Sequence, residues 1–198
     1  MSVINGEDAK KFVKEYVKVN PAGIDIKPKK IYKIPVKKIK YILIDKDKRG
    51  YFFDYNLDYE DLLEIAINEN KRKELLENSF KKIPDGFIEI KPKNNYWVLN
   101  RGLYYVVFPE VEIPNDMTAI ALPRSTFNRL GILKFESALF DPGYKGEFTQ
   151  TYYFPINAKI NINEAWVQLI FIKLEKESKE TYKGYWYCLL YTSDAADE

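Results

Sequence analysis

At 198 residues, 46% of them hydrophobic and 16% aromatic, the chain can bury the core of one domain and is not a disordered polymer. It has no histidine and one cysteine, which excludes Ser-His triads, a histidine base, His-liganded zinc, an internal disulfide and a Cys-rich metal site. With 31 basic against 29 acidic residues the net charge is only +2, so any chemistry must come from carboxylates, hydroxyls, Lys/Arg and backbone amides. No apolar run reaches membrane-spanning length and MSVINGEDAKKF lacks an apolar signal core, so the expectation is a cytoplasmic protein without a membrane partner.

In chain order, residues 6–18 predict a helix, with Phe12, Val13, Tyr16 and Val17 at helical spacing and Asn5 as its N-cap. Asn20-Pro21-Ala22-Gly23 ends it, and Ile24-Asp25-Ile26 opens an alternating segment. IYKIPVKKIKYILI (31–44) reads as strands, with Pro35 at an edge or bulge. The lysines between Lys27 and Lys40 read as a solvated face; a nucleic-acid partner is not expected. Asp58 to Lys82 predicts a helix built on Leu62, Leu63, Ala66, Ile67, Leu75, Leu76 and Phe80, with a break near Asn68–Asn70. Its acids lie early and its bases late, as the helix dipole favours. From Phe87 the text turns to β: FIEI, YWVL, LYYVVF, AIAL, GILKF, FTQTYYF and WVQLIFIKL, separated by Gly, Pro or Asn. That rhythm predicts a mainly β sandwich or barrel. The last eleven residues, CLLYTSDAADE (188–198), resemble the translation of a sequencing adapter. The expectation is therefore one domain over 1–187 with an artefactual tail, the native C-terminus being lost.

Four segments carry candidate chemistry: PAGIDI (21–26), PRSTFNRLG (123–131), ALFDPGYKGEF (138–148) and WVQLIF (166–171). Arg124 offers a planar, permanently charged fork that matches phosphate oxygens, and Ser125 and Thr126 add hydroxyl donors. The same residues could form a plain polar turn. Pro142-Gly143 turns the chain sharply after an apolar run, which either simply ends a strand or presents the Asp141 carboxylate. Tyr144 could be a core aromatic, Gly146 could mark a bulge, and Gln168 could be an ordinary residue of a half-buried strand.

In order and spacing these segments resemble the dUTPase/dCTP deaminase superfamily, over roughly residues 20–187 apart from the helix at 58–82. The likeness is strongest to the deaminase-like archaeal dUTP diphosphatases, which also share the YWVLNRGLYYVVF and IPNDMTAIALPRS patterns and a Tyr-x-Gly-x-Tyr ending (here Tyr182-Lys183-Gly184-Tyr185). The resemblance implies a distorted jelly-roll β-barrel, assembled as a homotrimer with sites between subunits. It implies hydrolysis of dUTP to dUMP and diphosphate, with Mg²⁺ held mainly by substrate phosphates and water. It makes Asp141 the base that activates water, and gives Arg124, Ser125, Thr126, Arg129 and Gln168 to the phosphates. Tyr144 goes under the sugar, Gly143 binds substrate from the turn, Thr149, Gln150 and Thr151 go to the pyrimidine pocket through their main chain, and Tyr182 and Gly184 to the closing C-terminal arm. Asp25 orders the site from a neighbouring turn.

One departure bears on the reaction. Deaminases of this superfamily carry a glutamate ten residues after the turn aspartate, and here that position is Thr151. Threonine cannot shuttle protons at neutral pH, so deamination is disfavoured while diphosphate hydrolysis is untouched. The arginine that usually begins the last strand is also missing from Asn163-Glu164-Ala165. A deaminase, a bifunctional deaminase–diphosphatase and a non-catalytic nucleotide-binding regulator are the alternatives.

Overall fold

The computed structural model describes residues 2–36, 41–44, 51–54, 68, 70, 86–135, 139–180 and 182. The chain divides into two compact units, Met1–Lys33 with Glu89–Glu198, and Ile34–Ile88. The first holds every described candidate residue. Of the second, the description gives a hairpin of β5 (Tyr41–Ile44) and β6 (Tyr51–Asp54). The helix expected over 58–82 lies outside the described residues, apart from Asn68 and Asn70.

Two antiparallel sheets make the larger unit. The first has the order β12 (Leu139–Phe140), β10 (Met117–Pro123), β15 (Val167–Lys173), β3 (Gly23–Ile26), β2 (Lys18–Asn20), with β1 (Ser2–Val3) also pairing β15. The second runs β11 (Leu133–Lys134), β13 (Lys145–Phe154), β9 (Gly102–Glu112), β4 (Lys30–Lys33), β7 (Ile88–Ile90). β8 (Tyr96–Leu99) and β14 (Ala158–Asn161) form a separate ribbon. The mainly β expectation holds, although neither sheet closes on itself.

Strand alternation builds the core. In β13, Gly146, Phe148, Gln150, Tyr152 and Phe154 face inward while the residues between them are half-buried. In β15, Val167, Leu169 and Phe171 do the same from the other sheet. The layers meet through aromatic rings: Phe140 on Phe148 at 5.1 Å, Tyr152 on Trp166 at 5.2 Å and Phe154 on Trp166 at 5.6 Å. Such edge and tilted contacts suit the ring quadrupoles.

A bulge interrupts the β9–β13 ladder. Glu147 pairs Glu110 but Thr149 pairs Val107, so β9 carries one residue more than β13 over this stretch. Pro109 lies in the enlarged side. Having no N–H to give the ladder, it fits where pairing is already broken. Phe108 and Phe148 stack there at 4.8 Å with an interplanar angle of 9°.

The N-terminal helix is shorter than its pattern predicts. Helix α1 (Gly6–Ala9) begins at Asn5, whose side chain accepts from the Asp8 N–H as expected, and a single 3₁₀ turn ends it at Phe12. Val13 is already extended and bridges Val111. Phe12 packs on Phe171 at 5.5 Å. Sheet contacts here override the helical spacing of the apolar residues.

Candidate active site

The candidate residues gather at two ends of β10. At its C-terminal end, Pro123 leads into Arg124, the N-cap of the short helix α2 (Ser125–Arg129). Phe127 fixes that helix: it is buried and packs on Trp166 at 5.1 Å and Tyr152 at 6.1 Å. Ser125, Thr126 and Arg129 are left exposed. The Arg124 N–H donates to the Trp166 carbonyl at 2.9 Å, and its Nη1 donates to Asp25 at 2.8 Å.

Asp25 is not on a turn, as the motif suggested, but in the middle of β3, with a side chain only 3% exposed. Arg124 compensates the charge of this buried carboxylate, and Asp25 in return aims the guanidinium. Arg124 Nε is buried without a hydrogen-bond partner among the described residues. Gln168 stands beside this pair, in register with Asp25 on one side and Leu122 on the other. Gly23 completes the local logic. A Cβ there would sit 2.5 Å from the Leu169 carbonyl oxygen and 3.0 Å from Gln168 Cγ, so the glycine of PAGIDI lets β3 and β15 approach.

Asp141 lies at the opposite end. Phe140 pairs Ala119, which puts Asp141 at the Thr118 level, and Thr118 Oγ1 donates to the Phe140 carbonyl at 2.7 Å. From there to Arg124 is six residues of strand, roughly 20 Å at about 3.3 Å per residue. Asp141-Pro142-Gly143-Tyr144 is a tight turn closed by the Tyr144 N–H on the Asp141 carbonyl at 3.2 Å. Proline in second place and Gly143 at φ 80° in third are what a type II turn requires. Reciprocal bonds between Ile113 and Gly143–Tyr144, 2.9 and 2.8 Å, pin the turn to the main chain. Asp141 itself is exposed.

Tyr144 points inward and is 8% exposed. Its hydroxyl donates to the Glu147 carbonyl at 2.8 Å, and its ring meets Phe140 at 5.4 Å and Tyr182 at 5.3 Å. Burial drives its pKa well above the ordinary tyrosine value, so it is neutral and donating at any working pH. The Tyr182 N–H donates to the Pro142 carbonyl at 2.8 Å, bringing the end of the described chain back onto the turn. Gly184 lies outside the described residues.

Along β13 the predicted pocket residues part by face. Thr149 and Thr151 are half-buried on one side, and the Thr149 side chain hydrogen-bonds Tyr105. Gln150 turns into the core, where its Oε1 accepts from the buried Lys134 Nζ at 3.0 Å. β11 pairs only Tyr152 and Tyr153, and Phe135 N–H reaches the Thr151 carbonyl. Between Lys145 and Gln150, no strand among the described residues pairs with β13 on the side away from β9. The sequence reading missed Lys134, and it missed Lys29, whose Nζ meets Glu147 at 2.6 Å. Lys29 reads locally as a member of a solvated lysine face, and Lys134 as the lone polar residue of the strand run GILKF. Among the described residues no helix is long and apolar enough to cross a membrane.

Comparison with known proteins matches residues 7–172 to a family described as dCTP deaminase-like. A probable deoxyuridine 5'-triphosphate nucleotidohydrolase of Methanosarcina mazei is 36% identical over 130 residues, 62% of this chain and 75% of that relative. The deoxyuridine 5'-triphosphate nucleotidohydrolase of Methanocaldococcus jannaschii is 30% identical over 157 residues, 72% of this chain and 97% of that protein. A dCTP deaminase of the Wolbachia of Brugia malayi is 31% identical over 139 residues, 66% of this chain and 69% of that protein. Among solved structures, the 2'-deoxycytidine 5'-triphosphate deaminase of Agrobacterium tumefaciens superposes with a TM-score of 0.52 at 17% identity. That alignment covers 85% of this chain but only 46% of the deaminase, so the likeness is one of fold and this chain spans about half of that neighbour.

Proposed function

Because the chain belongs to the dCTP deaminase-like family, we propose that it hydrolyses dUTP to dUMP and diphosphate. The observation that carries this reading is Asp141, an exposed carboxylate held at a strand end by a type II turn, directly before the buried Tyr144. In this reading Asp141 takes a proton from the water that attacks the α-phosphorus. The bond from that phosphorus to the bridging oxygen breaks, and diphosphate leaves with the electron pair. Tyr144 packs against the deoxyribose and leaves no room for a 2′-hydroxyl. The edge of β13 that no described strand pairs between Lys145 and Gln150 offers main-chain groups to the pyrimidine. Thr151 supplies no acid for deamination, which favours dUTP over dCTP as the substrate hydrolysed.

Arg124, with Ser125, Thr126, Arg129 and Gln168, positions the phosphates. The Arg124 guanidinium, aimed by Asp25 through Nη1 and left with Nε unpartnered among the described residues, gives that assignment its physical support. A magnesium ion fits this arrangement, being a hard cation that takes phosphate, water and carboxylate oxygens, of which Asp141 offers one exposed example. When bound it neutralises charge on the triphosphate.

Roughly 20 Å of β10 separates Asp141 from Arg124 within one chain, too far for one triphosphate to engage both. A homotrimer resolves this, each site taking its base and sugar platform from one copy and its phosphate clamp from another. The exposed apolar side chains Leu130, Leu133, Phe135, Leu139 and Ile156 suit burial between copies.

The test is diphosphate release with Mg²⁺ from dUTP, dCTP, UTP and dTTP, with ammonia followed in parallel. Diphosphate from dUTP alone is expected. Ammonia from dCTP would establish deamination by an acid other than Thr151. Tight dUTP binding without turnover would favour a nucleotide-binding regulator.

A further inference from the structure

Tyr144 can discriminate sugars only if its ring is held at a fixed height, and the residues that hold it are not among those of the four motifs' usual roles. We propose that Glu147, clamped by Lys29, is a positioning residue for Tyr144 and sets the preference for deoxyribose over ribose. The inference rests on the reading of Tyr144 as the sugar platform.

Three contacts carry it. The Tyr144 hydroxyl donates to the main-chain carbonyl of Glu147 at 2.8 Å. Glu147 is the last residue in register before the bulge, where pairing jumps from Glu147–Glu110 to Thr149–Val107. A carbonyl at such a break is less constrained by the ladder than its neighbours are. The Glu147 side chain, 16% exposed, is in turn tied to Lys29 Nζ at 2.6 Å. Lys29 is anchored independently, its N–H donating to the Val107 carbonyl at 2.8 Å on the far side of the same bulge. Lys29 therefore spans the break, with its backbone on β9 and its ammonium on β13. The carboxylate of Glu147 transmits that anchor to its own carbonyl, and the carbonyl sets the tilt of the Tyr144 ring.

The bond is charge-assisted, with the Glu147 carboxylate largely buried and the Lys29 side chain 45% exposed. Glu15 and Glu110 add negative potential around the ammonium, and Lys14 meets Glu110 at 3.5 Å. Of the three glutamates around Lys29, Glu147 is the hydrogen-bonded one.

The experiment compares kcat/KM for dUTP and UTP in the wild type, Glu147→Gln, Lys29→Met and the double variant. Each single change should lower the dUTP/UTP ratio by about fivefold, the upper end of the scale for a partly exposed ion pair. The double variant should lose no more than either single one, because both remove the same clamp. Binding of the α,β-imido analogues of dUTP and UTP gives the same ratio without turnover. A parallel loss for both sugars, an unchanged ratio, or additive losses would overturn the proposal. Tyr144→Ala separates the two levels: if it leaves the ratio unchanged, the sugar-platform reading itself fails, whatever Glu147 does.

Discussion

The two ends of β10 are built by opposite means. At the Arg124 end, a buried ion pair does the work: Asp25, 3% exposed, binds a guanidinium 31% exposed at 2.8 Å. At the Asp141 end, a proline–glycine turn presents an exposed carboxylate, and the order comes from main-chain bonds and edge-to-face rings. Charge in the first region is bound up in structure, so disturbing it should unfold the protein. The exposed Asp141 carboxylate in the second has no ion-pair partner among the described residues, so disturbing that group should stop chemistry and leave the fold alone.

The largest effect should come from Arg124→Met, which strands Asp25 as an uncompensated buried charge. Chemical denaturation should show a loss of about 3–5 kcal/mol, with activity lost as well. A loss below about 1 kcal/mol would mean that the pair is not structural and the contrast between the two ends is false. Asp141→Asn should cut kcat by about 10²–10⁴. Its denaturation midpoint should stay at the wild-type value and dUTP binding should persist. Loss of binding or of stability would make Asp141 a structural turn residue.

Mixing Asp141→Asn with Arg124→Lys, which keeps the charge but loses the fork, tests whether the ends belong to different copies. Two inactive preparations refolded together should regain roughly a quarter of wild-type turnover, since random assembly makes about one composite site in four intact. No recovery would put both residues in one chain's site.

The smallest effect is alkaline and belongs to the Asp141 end. Burial raises the pKa values of Tyr144 and Tyr105, and hydrogen bonding to Glu147 raises that of Lys29. The folded protein therefore keeps these protons where the unfolded chain releases them. Their contribution is complete below the ordinary values of 10.0 for tyrosine and 10.5 for lysine, and is lost as pH climbs through the raised ones. The melting temperature should be flat from neutral pH to about pH 9 and fall above about pH 10. Lys29→Met should make that fall shallower.

Much of this was legible in the residues alone. Alternation in FTQTYYF and WVQLIFIKL marked the strands, Pro142-Gly143 marked the turn, and the order of PAGIDI, PRSTFNRLG, DPGYKG and WVQLIF carried the family. Those signals are local, or depend only on order along the chain. The helical spacing of residues 6–18 was local too, but misleading, because Phe12 and Val13 found partners on Phe171 and Val111.

Pairing across the sheets decided the rest. Asp25 became the partner of a residue 99 positions away, and Lys29 that of Glu147, 118 positions away. Gln150 went inward to Lys134 while Thr149 and Thr151 took the other face, because a one-residue step along a strand reverses the side chain. The sequence by itself determined which segments become strands and which turn would present an acid. Only the register of β10 against β12 and β15 decided that this acid and the arginine stand a strand's length apart, since register is set by side chains distant in sequence that must share one core.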